Sequence, residues 1–218
     1  MKKPISKKLT QLTRRDVLIQ TTLGTAGLVV AGLGISEAKA TNAFSKVLKK
    51  QPTPQCVETE DNILGPFYRE GAPFRTVLAS PDEGQPLVID GAVYAPDCTP
   101  IPGALVDVWH ANDAGVYDLT SSDYLWRGRM LALDDGSYHF ETILPGWYRS
   151  GPDYRPRHIH YKVSQDGFLP LTTQLYFEGD PYIKIDPYVR PSLIIPLTQI
   201  NEVWYGTFDI VLGQGTGR

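Results

Sequence analysis

Alternation of apolar and polar residues dominates the chain between residues 86 and 212. In a strand successive side chains point to opposite faces, so alternation predicts a strand with one buried face. At 104–110 it places Val106, Val108 and His110 on one face. Turn signals rich in Gly, Pro, Asp and Asn separate the alternating runs. The pattern predicts strands at 86–94, 104–110, 127–133, 138–143, 157–164, 172–177 and 203–212.

The predicted fold class is all-β. Many short strands separated by turns, without a convincing long amphipathic helix, favour an antiparallel β-sandwich with long loops and little helix. The 218 residues include 20 Gly, 18 Pro and 12 Tyr, which favours strands and turns over helices. A hydrophobic fraction of 42% suits one domain with a full core.

The N-terminal residues are typical of an export signal rather than of the fold. A basic start leads to Arg14 and Arg15, a small-residue apolar stretch at 17–35 follows, and Ala38-Lys39-Ala40 has the form of a cleavage site. The stretch is rich in Gly and interrupted by Gln20, which disfavours a membrane anchor. We therefore predict a twin-arginine signal peptide at 1–40 and a periplasmic or secreted protein with no membrane attachment after signal removal.

The predicted mature protein is acidic. Residues 41–55 are a polar linker, and the folded domain is expected at 56–213. The whole chain has a formal net charge of −3, and residues 1–40 carry seven Lys or Arg and two Asp or Glu, so their removal leaves −8. Such a charge argues against binding to nucleic acid.

The chain has two cysteines, Cys56 and Cys98. An exported protein meets an oxidising compartment, so a disulfide between them is expected, with two unpaired buried thiols as the alternative. Neither cysteine lies near His158 in the sequence, and the two lack the C-x-x-C spacing of a thiolate metal site.

Two of the four histidines have the spacing of a metal-binding pair. His158 and His160 project from one face of the predicted strand at 157–164, about 6.5–7 Å apart along it, and can converge on one ion. An exposed His-x-His on an ordinary strand is the alternative interpretation. His139 is expected to face solvent because it alternates with Tyr138 and Phe140. His110 is the remaining histidine, which leaves open a zinc hydrolase using His110, His158 and His160.

Two tyrosines follow turns after predicted strands. Tyr117 and Tyr148 are either packed aromatic residues with satisfied hydroxyls or metal-binding phenolates. A phenol titrates near pH 10, but a trivalent cation can displace its proton. Two phenolates and two imidazoles form a hard, anionic ligand set that favours Fe(III) over Zn(II).

Five segments resemble, in the same order, motifs of the intradiol ring-cleavage dioxygenases, the protocatechuate 3,4- and catechol 1,2-dioxygenase family. The resemblance extends over 58–212. The segments are Ile-Leu-Gly-Pro-Phe-Tyr at 63–68, Leu-Val-Asp-Val-Trp-His-Ala-Asn-Asp-Ala-Gly-Val-Tyr at 105–117, Arg-Gly-Arg at 127–129 with 135–148, Arg-Pro-Arg-His-Ile-His at 155–160, and Thr-Gln-Leu-Tyr-Phe-Glu-Gly-Asp at 173–180.

The resemblance implies a catalytic domain at 56–213 with a non-haem Fe(III) site. Its ligands would be Tyr117, Tyr148, His158 and His160. Arg155 would stabilise negative charge developing on the substrate ring, Tyr148 would accept a substrate proton, and Gln174 would assist. An ion pair at the surface is the alternative role for Arg155. The substrate-binding segment would be Gly65, Pro66 and Phe67.

The implied reaction is cleavage of an aromatic ortho-diol by O₂ between the two hydroxyl-bearing carbons, which gives a muconate-type diacid. The implied partners are a small diol of catechol or protocatechuate type, O₂ and, since members of that family are often oligomeric, further copies of this chain in a homo-oligomer. The sequence departs from the family pattern at Arg149, Ser150 and Arg157, beside the expected pocket. A transthyretin-like β-sandwich binding module without catalysis is the alternative function.

Overall fold

The computed structural model describes residues 56–215, and the predicted signal peptide at 1–40 and linker at 41–55 lie outside these residues. Within 56–215 no helix is long and apolar enough to cross a membrane. The helical elements there are two short 3-10 helices, Pro81–Glu83 and Pro191–Leu193. The strands are β1 (Pro86–Tyr94), β2 (Leu105–His110), β3 (Arg127–Leu131), β4 (Ser137–Ile143), β5 (Arg149–Ser150), β6 (Asp153–Tyr154), β7 (His158–Ser164), β8 (Leu171–Phe177), β9 (Ile194–Ile195), β10 (Thr198–Ile200), β11 (Val203–Thr207) and β12 (Ile210–Val211).

The described strands form two larger sheets and one small hairpin. In the first sheet β4 pairs with one edge of β1, β11 pairs with the other edge, and β12 pairs with the C-terminal end of β1. Strand β10 adds to β11. The second sheet has the order β3-β2-β7-β8-β9, and β5 pairs with β6. The predicted all-β class is confirmed.

The predicted antiparallel sandwich is mixed at three of its strand pairings. The pairs β1–β11, β1–β12 and β8–β9 are parallel, and alternation of apolar residues does not encode strand direction. The predicted strand at 203–212 is also interrupted between β11 and β12. There Phe208 donates its N–H to the Asp90 carbonyl at 2.9 Å, and the Asp209 carboxylate accepts the N–H of Ala92 at 3.0 Å. The side chain of Asp209 thus replaces a backbone partner and interrupts the ladder, which resumes with β12.

The core lies between the two sheets. Leu87 and Ile89 of β1 and Phe140 of β4 are fully buried, and they belong to the same apolar cluster as Val106 and Val108 of β2. The cluster also contains Ile159, Tyr161 and Val163 of β7. Burying one such aliphatic side chain contributes about 1.5–3 kcal/mol, so these alternating positions fix the orientation of β2 and β7.

The opposite face of the second sheet carries a row of chemically distinctive residues. His160 lies opposite Trp109 of β2 and opposite Gln174 of β8. Directly opposed residues share a face, so these three side chains project from the same side. Since Ile159 points into the core, His158 and His160 must point away from it. The packing of the core therefore places both histidines on the outer face of this sheet.

The structure contains the disulfide between Cys56 and Cys98, which are 42 residues apart in the sequence. Cys56 also donates its N–H to the carbonyl of Pro96 at 2.9 Å. The bridge therefore fixes the start of the described chain to the turn that follows β1.

We expect the paired substitution Cys56→Ser with Cys98→Ser to lower the free energy of unfolding by up to about 4 kcal/mol, because it removes a cross-link that restricts the unfolded chain. Urea titration of the oxidised wild type and of the double variant measures the difference. A reductant should destabilise the wild type and leave the variant unchanged; equal stabilities of the two proteins would contradict this account.

A buried carboxyl lies beside the row of site residues. Asp107 is 5% exposed and accepts a hydrogen bond from Tyr68 Oη at 3.1 Å. Arg129 and Lys162 lie opposite it on the neighbouring strands. Burial raises the pKa of Asp107 to about 6, although Tyr68 and the two cations act in the lowering direction. Ionisation of Asp107 is therefore less favourable in the folded protein than in the unfolded chain.

We expect Asp107→Asn to stabilise the protein at pH 8 by about 2–3 kcal/mol and to be neutral at pH 4. The folded carboxyl keeps its proton up to a higher pH than the unfolded one, so its contribution to stability falls as the pH rises from about 4 to about 6. The amide still accepts the bond from Tyr68 and cannot ionise. Unfolding titrations at both pH values, in the same metal state, measure the effect, and a difference independent of pH would contradict it.

Candidate metal centre

The two imidazoles of β7 converge on one phenol. His158 donates its Nδ1–H to the carbonyl of Pro156 at 2.6 Å, which leaves the lone pair of Nε2 facing Tyr117 Oη at 3.0 Å. His160 Nε2 lies 3.2 Å from the same oxygen. Three of the four predicted ligands therefore meet at one point, and all three side chains are buried.

Neighbouring groups fix the orientation of the His160 ring. The indole of Trp109 stacks on it with ring centroids 4.8 Å apart and planes 7° apart. Gly65 lies close to the ring, where an added Cβ would be 3.2 Å from His160 Cε1. Gly65 also has a φ of +72°, which L side chains rarely adopt, so glycine meets both requirements.

Two interlocked turns bring Tyr117 and Tyr148 together. The carbonyl of Asn112 accepts the N–H of Gly115 at 3.0 Å and that of Gly146 at 2.8 Å. A Cβ on Gly115 would collide with the carbonyl oxygen of Trp147. The backbones can approach this closely only because both turns carry glycine. The Tyr117 and Tyr148 rings consequently lie 5.8 Å apart, edge to face.

Phe67 contacts both phenols. Its ring stacks on Tyr117 at a centroid distance of 4.3 Å and meets Tyr148 edge-on at 5.0 Å. Of the segment predicted to bind substrate, Gly65 and Phe67 therefore lie at the cluster, while Pro66 between them is exposed. Tyr148 is half-buried, whereas Tyr117 is 7% exposed. Tyr148 is thus the more accessible of the two phenols.

Burial keeps His158, His160 and Tyr117 neutral in the absence of a metal. Burial and the nearby Arg155 cation lower the pKa of His158 to about 3, and burial lowers that of His160 well below its usual range, so both imidazoles are neutral at neutral pH. Burial raises the pKa of the Tyr117 phenol, while the cations Arg155 and Arg127 act to lower it. Tyr117 is therefore a neutral phenol until a cation displaces its proton.

This donor set fits a hard trivalent cation. The bond to Pro156 fixes the His158 tautomer whose Nε2 lone pair faces the cluster, as metal-ligating histidines require. His160 Nδ1 is buried and has no hydrogen-bond partner among residues 56–215, so either neutral tautomer of His160 leaves one ring nitrogen unsatisfied. The Nε2 atoms of both histidines converge on Tyr117 Oη, where a cation would use their lone pairs.

Arg155 is buried rather than part of a surface ion pair. It is 8% exposed and pairs through Nε with Asp186 Oδ2 at 2.6 Å. Its Nη2 donates to Gln174 Oε1 and Tyr176 Oη, each at 3.0 Å. Burial acts to lower the pKa of Arg155, and the bond to Asp186 and the nearby Tyr176 raise it by more, so the guanidinium stays charged. Arg155 lies beside the ligand cluster, with its Nη1 3.5 Å from His158 Nε2.

Gln174 uses both of its amide atoms on protein partners. Its Oε1 accepts from Arg155 and from Tyr176 Oη, and its Nε2 donates to the carbonyl of Ile63 at 2.8 Å. Gln174 therefore connects the arginine to the segment that carries Gly65.

The geometry excludes the zinc site with His110 as a ligand. His110 lies on the core face of β2, opposite Ile159, and therefore on the side away from His158 and His160. Its Nδ1 is 2.7 Å from the Ala111 carbonyl and its Nε2 is 2.7 Å from Thr142 Oγ1. Residues 56–215 hold no group of three His, Cys, Asp or Glu side chains suited to a metal. His139 is exposed, as predicted.

The positions that depart from the family pattern lie beside the centre. Arg149 and Ser150 form the exposed strand β5, which pairs with β6 immediately after Tyr148. The guanidinium of Arg157 packs on the Trp147 ring at 4.6 Å and donates to the carbonyl of Pro145. Arg157 therefore supports the turn that leads into Tyr148 from outside the ligand cluster.

Sequence reasoning missed three residues of the site. Tyr176 shares a face with Gln174 at a spacing of two, so strand periodicity could have identified it. The position of Trp109 against His160 depends on the pairing of β2 with β7, which alternation does not specify. Asp186 lies in a loop after β8 without a recognisable motif, so no sequence signal indicates its contact with Arg155.

Comparisons with known proteins agree with this geometry. A family model described as Dioxygenase matches residues 63–214. The chain is 37% identical over 176 residues to a chlorocatechol 1,2-dioxygenase of Rhodococcus opacus, covering 67% of this chain and 68% of that protein. It is 34% identical over 205 residues to catechol 1,2-dioxygenase 2 of Acinetobacter lwoffii, covering 83% and 72%.

A solved structure is also similar. It is the dioxygenase domain of a dioxygenase carbohydrate-binding protein fusion from the cellulolytic bacterium Streptomyces sp. SirexAA-E, with a TM-score of 0.68 and 37% identity, covering 73% of this chain and 100% of that one. The matched family model, these relatives and the buried cluster of tyrosines and histidines lead to one conclusion: the chain belongs to the intradiol ring-cleavage dioxygenase family.

Proposed function

We propose that this protein uses non-haem Fe(III) to cleave a catechol-type aromatic ortho-diol with O₂ between the two hydroxyl-bearing carbons, giving a muconate-type diacid. The observation that carries the proposal is the convergence of Tyr117 Oη with Nε2 of His158 and His160, beside Tyr148. The relatives named as chlorocatechol, catechol and hydroxyquinol 1,2-dioxygenases support a catechol-type substrate.

The donor set supports ferric iron as the cofactor. Two phenolates balance much of the charge of a trivalent ion, and neutral imidazoles complete a hard set of ligands. The buried cations Arg155 and Arg127 favour the phenolate form of Tyr117 and so help the metal to displace its proton. Bound there, ferric iron would supply the positive charge that lets a diol bind as a dianion and makes its ring reactive toward O₂.

Tyr148 is the group best suited to take the first proton from the diol. It is half-buried and lies on the turn before the exposed hairpin, so its hydroxyl can exchange partners more easily than that of the buried Tyr117. Phe67, packed against both phenols, forms an apolar wall suited to an aromatic ring. The small Gly65 beside His160 leaves room for a planar ligand at the cluster.

Arg155 supplies the electrostatic part of the mechanism. Its Nη1 is directed to the ligand cluster, where it can stabilise negative charge that moves from the diol onto the ring. Gln174 acts on the reaction through Arg155, because both ends of its amide are bound by protein groups.

The reaction needs no external reductant. Both atoms of O₂ enter the product, since a diol plus O₂ has the composition of the ring-opened diacid. One hydroxyl proton of the diol goes to Tyr148 and the other to solvent, and both return to the product carboxylates. The chain therefore has to hold the diol, accept a proton and stabilise charge, and the residues at the cluster are suited to these three tasks.

The paired arginines Arg14 and Arg15 with the following apolar stretch support export of this enzyme by the twin-arginine route. That route carries folded proteins, which is compatible with loading of iron before export. The acidic net charge supports a small-molecule substrate rather than nucleic acid.

Oxygen uptake with a panel of diols tests the proposed function. We expect the iron-loaded protein to be red-brown from phenolate-to-iron charge transfer, and to consume one O₂ per catechol while it forms the diacid. The panel includes catechol, a chlorocatechol and hydroxyquinol, with resorcinol as a control that lacks adjacent hydroxyls. A semialdehyde product would indicate cleavage of the ring bond adjacent to the diol rather than the bond between its two hydroxyl-bearing carbons. A colourless iron-loaded protein would exclude the phenolate site.

Tyr148→Phe tests the proton acceptor. We expect kcat to fall by about 100-fold or more, because the variant lacks the phenolate that takes the diol proton, and the charge-transfer band to weaken or shift. Tyr154→Phe is the matched control, since Tyr154 lies on the hairpin that follows Tyr148 and is 41% exposed. An unchanged spectrum for Tyr148→Phe would remove Tyr148 from the ligand set.

A further inference from the structure

The guanidinium of Arg155 has five N–H donors, and protein groups engage those on two of its nitrogens. The Nε–H donates to Asp186 Oδ2 at 2.6 Å. Nη2 lies 3.0 Å from Gln174 Oε1, 3.0 Å from Tyr176 Oη and 3.4 Å from Asp186 Oδ1. The remaining nitrogen, Nη1, is the one near His158. The direction in which Nη1 points is therefore set by the partners of the other two nitrogens.

The Asp186 carboxylate is held in a fixed position. Its side chain is 2% exposed, and its Oδ1 accepts the N–H of Tyr188 at 2.8 Å within its own turn. The ring of Tyr188 lies against the Arg155 guanidinium, 5.0 Å from ring centroid to Cζ. The carbonyl of Tyr188 accepts a bond from Asn62 Nδ2 at 2.7 Å, which ties this loop to the segment before Gly65. Asp186 can thus hold Arg155 in one orientation.

Asp186 also neutralises the charge of Arg155. A buried guanidinium and carboxylate in direct contact have opposite effects on any charge nearby. A substrate carboxylate would therefore meet a compensated ion pair rather than a free cation.

We propose that Asp186 is the positioning residue that aims Arg155 Nη1 at the substrate and, by cancelling its charge, makes the enzyme prefer diols without an anionic ring substituent. This inference rests on the proposed function. Asp186 acts through Arg155 and is not itself expected to touch the substrate.

Two substitutions separate the effect of the position of the Asp186 carboxylate from the effect of its charge. Asp186→Asn keeps the shape and removes the charge, and Asp186→Glu keeps the charge and displaces the carboxylate by one methylene. Catechol and 3,4-dihydroxybenzoate serve as the neutral and the carboxylated diol. For Asp186→Asn we expect the ratio of kcat/KM for 3,4-dihydroxybenzoate to that for catechol to rise about tenfold, since the Arg155 charge is no longer compensated.

For Asp186→Glu we expect that ratio to stay at the wild-type value, while kcat falls for both diols by about tenfold or more, because Nη1 is no longer aimed correctly. Asp180→Asn is the control for general loosening of the loop, since Asp180 accepts hydrogen bonds from Trp147 Nε1 and from the N–H groups of Tyr182 and Arg157 and does not contact Arg155. It should keep the wild-type ratio. A ratio that is unchanged in Asp186→Asn, or that rises equally in Asp180→Asn, would overturn the assigned role.

A readout without turnover tests the position independently. In crystals of metal-free Asp186→Glu we expect the Arg155 guanidinium to leave Gln174 and Tyr176, whereas it should remain in place in Asp180→Asn. An unmoved guanidinium in the Glu variant would overturn the positioning role. If the wild type cleaves no diol, the proposed function fails, and the crystal result still decides whether Asp186 positions Arg155.

Discussion

The burial of one side of β7 is the constraint on which the metal centre depends. Ile159, Tyr161 and Val163 are fully buried in the core, so the strand cannot rotate without losing several kcal/mol of apolar burial. His158 and His160, which alternate with these residues, are therefore held on the outer face as rigidly as the core residues are packed. A metal site tolerates little positional error, and here the hydrophobic core supplies the rigidity that the imidazoles need.

The fold class and most strands follow from the sequence because alternation and turn residues are local signals. The pairing of β1 with β11 and β12 does not follow, since strand direction and the break at Phe208 and Asp209 arise from contacts distant in sequence. The same distinction applies at the site. The spacing of His158 and His160 is local, whereas the approach of Tyr117 to Tyr148 depends on Gly115 and Gly146 fitting against each other.

The four proposed ligands and Arg155 are oriented by further residues that contact them from behind. Trp109 stacks on His160, and Tyr68 packs on Trp109 at a centroid distance of 4.8 Å while its hydroxyl binds Asp107. On the other side, Gln174 and Tyr176 bind Arg155. These supporting residues come from several strands and loops, so their contribution becomes visible only when the register is known. Resemblance to a family identifies the ligands more readily than it identifies the groups that orient them.

The disulfide at Cys56 has a consequence for the site as well as for stability. From Cys56 the chain runs past Thr59 and Asn62, whose backbone N–H groups bind β12 and β8, to Gly65 and Phe67 at the ligand cluster. The bridge thus anchors one end of a pocket wall that contains no helix and no paired strand of its own. In a reducing compartment this wall would lose its covalent anchor and keep only hydrogen bonds such as those of Cys56, Thr59 and Asn62, so reduction would weaken the attachment of the segment that leads to the aromatic pocket.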